Sequence, residues 1–165
     1  MALAPMMRPL AELQEGGIRG LFFDIDDTLT SEGRLTAQAY SALERWNAAG
    51  KIAVPITGRP AGWCDHIARM WPVDAVVGEN GAFYFYYDRG EKKLVKRFLN
   101  DAATRAANRI RLEEIRNRIL AEVPGCAPSS DQLYRETDLA IDYCEDVPAL
   151  NLAQAGQIAA LMREA

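Results

Sequence analysis

The first regular feature in the pattern of apolar and polar positions is a short run with no helical period, Gly20-Leu21-Phe22-Phe23-Asp24-Ile25. It is bounded by glycine and by acids, which predicts a strand buried on both faces of a parallel sheet. Leu35, Ala39, Leu43 and Trp46 then recur at helical spacing, with Thr36 available as the N-cap and Gly50 as the stop. Ile52-Ala53-Val54-Pro55-Ile56 is strand-like again, with Pro55 expected near its end because proline has no amide to donate. Thr57-Gly58-Arg59-Pro60 turns the chain, and Pro60 suits the first position of a helix. The apolar face predicted for that helix is Trp63, Ile67 and Met70, joined by Cys64, Ala68 and Trp71. Ala75-Val76-Val77 is a third strand running into Gly78-Glu79-Asn80-Gly81. Strand, helix, strand, helix, strand predicts a right-handed open α/β sheet, the core of a doubly wound fold.

Beyond this point the pattern changes. Phe83 to Tyr87 and Lys92 to Phe98 are β-prone runs joined by Asp88-Arg89-Gly90-Glu91, an expected antiparallel hairpin. A long helix is predicted from about Asp101 to Val123, with Leu112, Ile115, Ile119 and Val123 on one stripe and Pro124-Gly125 ending it. Leu139, Ile141 and Tyr143 alternate with Ala140, Asp142 and Cys144 as a half-buried strand, and Leu152, Ala155, Ala159 and Met162 mark a last helix. The expected organisation is a loose N-terminal extension over residues 1–17, an α/β core over 18–82, and an α+β lobe over 83–165.

Composition narrows the class without naming a chemistry. The 165 residues are 49% hydrophobic and 25% charged, with a net charge of −4, values of an ordinary globular protein that exclude disorder and repeats as the organising principle. The weak acidity offers no general attraction to nucleic acid or to an anionic membrane. Cys64, Cys126 and Cys144 are too few and too scattered for a disulfide framework and form no CxxC pair, which fits a reducing cytoplasm. The N-terminal stretch carries Arg8, Glu12 and Glu15 among turn formers and resembles neither a secretory signal nor an anchor.

The chemistry concentrates where two strands end. Asp24-Ile25-Asp26-Asp27-Thr28 lies at the carboxyl edge of a parallel sheet, where such folds place ligands. Three carboxylates in four positions repel one another, and a divalent cation would neutralise them; extended backbone would aim Asp24 and Asp26 the same way. Taken alone, the run is also what a solvated acidic turn looks like. Ile56-Thr57-Gly58-Arg59-Pro60 adds a hydroxyl, an accessible amide and a guanidinium just before a helix N-terminus, a set suited to a phosphate. Together the two stretches predict a pocket for a metal ion and a phosphoryl group.

These residues resemble the haloacid dehalogenase superfamily of phosphotransferases: DIDDT after an apolar strand and ITGR after the next look like its first two motifs. GENGA at residues 78–82, followed by a hairpin-led α+β segment, is similar to the branch with a cap inserted after the third core strand. That branch holds phosphatases of sucrose phosphate, trehalose phosphate and mannosyl-3-phosphoglycerate, and the phosphomannomutases. The resemblance implies a Rossmannoid α/β core with an inserted α+β cap, and Mg²⁺-dependent hydrolysis of a small phosphorylated sugar or glycoside. Asp24 would be the nucleophile forming an aspartyl phosphate, and Asp26 the acid that protonates the leaving oxygen and then activates water. Thr28 would hold the loop, and Thr57 with the Gly58 amide would bind phosphoryl oxygens. Asp24 and the backbone carbonyl of Asp26 would hold Mg²⁺.

The family pattern also asks for a lysine beside the nucleophile and for an acidic cluster after a fourth core strand. Lys51, Lys92, Lys93 and Lys96 do not stand at the start of a helix returning to the core, and no later strand ends in paired acids. Without that strand, Leu21, Phe22 and Phe23 would form an apolar edge. The expectation is therefore an incomplete core that needs a C-terminal segment or a complementing chain. A phosphomannomutase-like transfer and a non-catalytic phosphate-binding protein are the alternatives.

Other residues stay open at this level. Arg59 either contacts substrate or pairs with an acid, and Glu79 and Asn80 either shape the crossing into the lobe or reach the substrate. His66 reads as a surface residue. The aromatics from Phe83 to Tyr87 suit hairpin packing, with stacking on a base or sugar as the alternative. The basic run from Lys92 to Arg118 is a solvated face or a steering field for anions. Asp138, Asp142, Glu145 and Asp146 either bind sugar hydroxyls or line a strand edge.

Overall fold

The structure, a computed structural model, describes residues 17–164. All of the extension expected over 1–17 except Gly17 therefore lies outside the described residues. A five-stranded sheet is built from β1 (Gly20–Asp24), β2 (Ile52–Ile56), β3 (Val76–Gly78), β4 (Phe83–Asp88) and β5 (Lys93–Phe98), side by side in that order. The first three strands are parallel, and β4 and β5 are antiparallel. Helices α1 (Ala37–Ala48) and α2 (Ala61–Met70) make the two crossovers. Thr36 caps α1 by accepting the Ala39 amide at 3.2 Å, and Gly50 just past the helix takes φ 71°, as its sequence position predicts.

Strand alternation fixes which face is covered. Ala53, Val76, Phe83 and Phe85 are buried in one cluster with Leu43 of α1 and Cys64, Ile67 and Ala68 of α2, so both helices lie on the same face. Phe83 and Phe85 stack with ring centroids 4.2 Å apart, and Phe98 meets both edge-on. The opposite face carries Phe22, Ile52, Ile56 and Tyr84, all exposed, with Phe22 at 73% on the outermost strand. The described residues thus form a parallel-rich α/β sheet wound on one side, where a doubly wound core is predicted; three parallel strands added in one direction carry their right-handed crossovers to one face.

Two further expectations change. Pro60 sits one position earlier than predicted, as the N-cap of α2, and its carbonyl accepts the Trp63 and Cys64 amides. The helix buries Ala61, Cys64, Ile67 and Ala68, leaving Trp63 and Met70 exposed. The apolar arc is wider than one contact stripe, and the small side chains at its centre let the helix approach the sheet. The hairpin, expected at the head of a second lobe, instead completes the core sheet, because β4 pairs with β3 through Val76–Phe85 and Gly78–Phe83.

After β5 the chain forms α3 (Ala102–Glu122), a short antiparallel pair β6 (Ala127–Pro128) and β7 (Ile141–Asp142), and α4 (Leu152–Glu164). Ile119, Val123, Ile158 and Leu161 are a second, smaller core between the two helices. The strand predicted over residues 139–144 shortens to β7 because the Asp142 carboxylate accepts the amides of Cys144, Glu145 and Asp146, which folds the chain into a turn.

Candidate active site

Parallel pairing of β1 with β2 sets Asp24 beside Ile56, so the acidic strand end and the Thr57–Gly58 turn stand next to each other at the carboxyl edge of the sheet. Asp24 is exposed and closes β1; Thr28 Oγ1 donates to its Oδ2 at 3.2 Å across a wide turn over Ile25–Leu29. Asp27 takes φ 55° in that turn, and Thr30 closes it by donating its amide to the Ile25 carbonyl at 2.9 Å.

Thr57 is 2% exposed, with its amide donated to the Val77 carbonyl and its hydroxyl oxygen accepting the Arg59 amide at 3.0 Å. Among the described residues the Gly58 amide meets no acceptor, while its carbonyl is held from behind. A Cβ on Gly58 would lie 3.0 Å from Asn80 Oδ1, so the amide of Asn80 is packed against this turn. Asn80 with Glu79 and Gly81 makes three consecutive residues of positive φ, a conformation non-glycine residues rarely adopt.

Of the open readings for Arg59, the ion pair is the one observed. Its Nε donates to both Asp26 oxygens, at 3.2 and 3.1 Å, and its Nη2 donates at 2.6 Å, while the guanidinium lies 4.8 Å from the Trp63 ring centroid. The Asp26 carboxylate holds the Arg59 guanidinium above its already high range, against the opposing effect of burial. Both Asp26 oxygens are therefore committed to Arg59.

Glu79 is the residue on which the elements converge. Its carboxylate is 3% exposed and accepts the Ala61 amide at 3.0 Å, the Glu136 amide at 2.8 Å, the Thr137 amide at 2.6 Å and the Asp138 amide at 3.2 Å, together with the Thr137 hydroxyl. Its role is structural: it ties the segment after α3 to the start of α2.

Reasoning from sequence missed Arg135. Its side chain is 10% exposed, donates from Nη1 to the Gly58 carbonyl at 3.2 Å, and is flanked by Asp131 and Asp138. Burial works against its charge, but the two carboxylates outweigh that and raise its pKa. Asp138 shifts upward as well, because its burial outweighs the help of Arg135. The sequence signal was the spacing Asp131, Arg135, Asp138, which lets one guanidinium face two acids.

A cleft of about 510 Å³ opens beside the turn, lined by Asp26, Gly58 and Arg59 on one side and by Asp131, Arg135 and Glu145 among others on the far side. Asp24, Thr28, Thr57 and Asn80 do not line it; Thr57 is buried and Asn80 packs against Gly58. Its acids, Asp26, Asp27, Asp131, Asp142 and Glu145, outnumber its two arginines, so an anionic substrate needs a cation for company. No group of three or more His, Cys, Asp or Glu suited to a metal occurs among the described residues. Mg²⁺, however, commonly takes only one or two carboxylates and completes its shell with water and substrate phosphate. The exposed Asp24 carboxylate and the Asp26 carbonyl fit that requirement; the Asp26 carboxylate, held by Arg59, does not.

Residues 21–127 match the family model of the haloacid dehalogenase-like hydrolases. No curated protein matches the sequence. Among solved structures, protein 0175 of Thermoplasma acidophilum superposes with a TM-score of 0.66 at 13% identity, over 89% of this chain and 57% of that one. BT1666 of Bacteroides thetaiotaomicron, a phosphatase of the haloalkanoate enzyme superfamily, gives a TM-score of 0.46 at 19% identity, over 94% and 51%. The subclass IIB sugar phosphatase BT4131 gives 0.45 at 22% identity, over 74% and 43%. The chain therefore spans about half the length of the solved proteins it matches.

Proposed function

Because the chain belongs to the haloacid dehalogenase-like hydrolases, we propose that it serves a Mg²⁺-dependent phosphatase acting on a small phosphorylated sugar, with Asp24 as the nucleophile. The observation that carries this reading is the juxtaposition of an exposed Asp24 with a Thr57–Gly58 turn whose Gly58 amide has no acceptor among the described residues. A phosphoryl group on that turn would lie beside the strand that ends in Asp24.

The Asp24 carboxylate attacks phosphorus and becomes an aspartyl phosphate while the sugar oxygen leaves. The Gly58 amide and the Thr57 hydroxyl bind the equatorial oxygens, whose charge is what the site has to stabilise. Thr28 keeps the Asp24 carboxylate oriented through its hydroxyl. Asp26 delivers a proton to the leaving oxygen and later takes one from water only by exchanging Arg59 for that partner, since Arg59 holds both its oxygens. Mg²⁺, held by Asp24 and the Asp26 carbonyl, would neutralise charge between carboxylate and phosphate. On the far wall the Glu145 carboxylate suits sugar hydroxyls, whereas Asp131 is held by Arg135.

The test is phosphate release from a panel of hexose and disaccharide phosphates with Mg²⁺. Asp24→Asn is expected to lower turnover about a thousandfold or more; turnover equal to wild type in that variant would remove Asp24 from the role. A second reading, a phosphate-binding protein without turnover, draws on the Arg59 lock on Asp26 and on the lack of a three-acid cluster among the described residues. Phosphate binding with no release from any ester by the wild-type chain would establish it.

A further inference from the structure

Away from the sheet edge, a cavity of about 330 Å³ lies between α3 and the segment from Gln132 to Leu139. Its α3 wall is set by helical spacing: Arg105, Arg109 and Arg116, with Asn108 between them, all line it. The opposite wall contributes Glu136 and Asp138, and Glu113 stands beside Arg116 on α3 itself.

The three carboxylates are already spent. Glu136 pairs with Lys96 at 2.7 Å, Asp138 with Arg135 at 3.0 Å, and Glu113 with Arg116. Arg105 and Arg109 have no such partner: Arg105 donates to the Asn100 carbonyl at 2.8 Å and lies 3.9 Å over the Phe98 ring, and Arg109 donates to the Glu136 carbonyl at 3.1 Å. Among the described residues neither guanidinium forms an ion pair, and the acid that feels the charge of Arg105 is Asp101, whose carboxyl is held down by the Thr104 amide first and by Arg105 after it. The Nε of Arg116 is in addition a buried donor without an acceptor. The wall thus holds two positive charges one helical turn apart, anchored by neutral carbonyls and an aromatic ring, with further donors to spare. Guanidinium groups so arranged match the oxygens of a phosphate.

We propose that this cavity is a second anion site, taking a phosphate group, free or borne by a small ester, between Arg105 and Arg109 with Asn108 alongside. It is separate from the phosphoryl site at Gly58, and does not depend on the reading of that site. Arg135 stands between the two, lining both the cavity and the catalytic cleft while donating to the Gly58 carbonyl. An anion bound beside Arg109 therefore faces the same guanidinium that supports the catalytic turn.

The test is a titration of the ¹⁵N-labelled chain with inorganic phosphate and, in a second arm, with a hexose monophosphate, at constant ionic strength set with sodium chloride. Saturable shifts are expected at the Arg105 and Arg109 Nε–H signals and at the amides from Gln132 to Leu139. In Arg105→Gln/Arg109→Gln the shifts of the amides from Gln132 to Leu139 should need about tenfold more phosphate or more, with the dispersion of the core amides unchanged. Saturation by phosphate assigns the site to the free ion, and saturation by the ester alone assigns it to a phosphorylated metabolite. Shifts that do not saturate, that sodium chloride reproduces, or that persist unaltered in the double variant would overturn the proposal. The Gly58 amide reports the catalytic turn separately, so failure at one site is distinguishable from failure at the other.

Discussion

Gly78 and Gly156 are the same residue type with opposite requirements. Gly78 closes β3 beneath the crossing into the hairpin, and a Cβ there would lie 2.4 Å from the Phe83 ring and 2.6 Å from Cys64 Sγ. Those neighbours are buried and fixed, so Gly78→Ala is expected to cost about 2 kcal/mol or more by overpacking. Gly156 lies within α4 and a Cβ there meets nothing within 4 Å. Gly156→Ala should stabilise by roughly 0.5–1 kcal/mol, since glycine weakens a helix interior by that much. Urea unfolding midpoints of the two variants check both, and equal midpoints would contradict the packing seen around Cys64. The same crowding bears on chemistry: burial pushes the Cys64 thiol up to about 12, with the Glu79 charge adding to it, so Cys64 is protonated and inert at neutral pH.

At the scale of elements, two carboxylates hold turns together and make them acid-sensitive. Asp101 caps α3 by accepting the Thr104 amide at 2.7 Å, and Asp142 accepts three amides after β7. Backbone donors hold both carboxyls below the ordinary range, led by Thr104 for Asp101 and Glu145 for Asp142. A carboxyl lowered on folding adds stability above its unfolded value, about 4, and that contribution fades as the pH falls through the folded value. Circular dichroism should show α3 weaker in Asp101→Ala than in wild type at about pH 6, with the difference shrinking as the pH falls and the wild-type carboxyl takes its proton; superimposable curves would remove the cap from the account. Such caps are local, and this is why α1, α3, the hairpin and the first three strands were legible in sequence: Thr36, Gly50, Asp88-Arg89-Gly90 and the apolar runs act within a few residues. The strand ends were legible for the same reason, and pairing of β1 with β2 sets Asp24 and the Thr57–Gly58 turn at adjacent strand ends. What periodicity could not convey depends on residues far apart in the chain. The hairpin joins the core through the open edge of β3, the phase of α2 follows from which small residues meet the sheet, and Arg135 reaches Gly58 across 77 positions.

On the scale of the whole molecule, two hydrophobic clusters, one under α1 and α2 and one between α3 and α4, share little apolar contact. They are joined instead by polar bonds that cross between them, above all those of Glu79, with Arg135 to Gly58 and Lys96 to Glu136 beside it. A single core carboxylate gathers amides from α2 and from residues 136–138, so the segment after α3 cannot leave the core without stripping its three amides of their acceptor. Protection against hydrogen exchange should then be shared across the junction, with the Glu136, Thr137 and Asp138 amides exchanging as one cooperative unit and the Ala61 amide held by the same carboxylate. Glu79→Gln, which turns an amide NH₂ toward those donors, should speed all four together by roughly thirtyfold, the equivalent of about 2 kcal/mol. Acceleration of Ala61 alone would mean that the halves breathe independently. If they move as one, the mouth of the cleft is a fixed frame, and a ligand must fit its shape on arrival instead of drawing a jaw shut around itself.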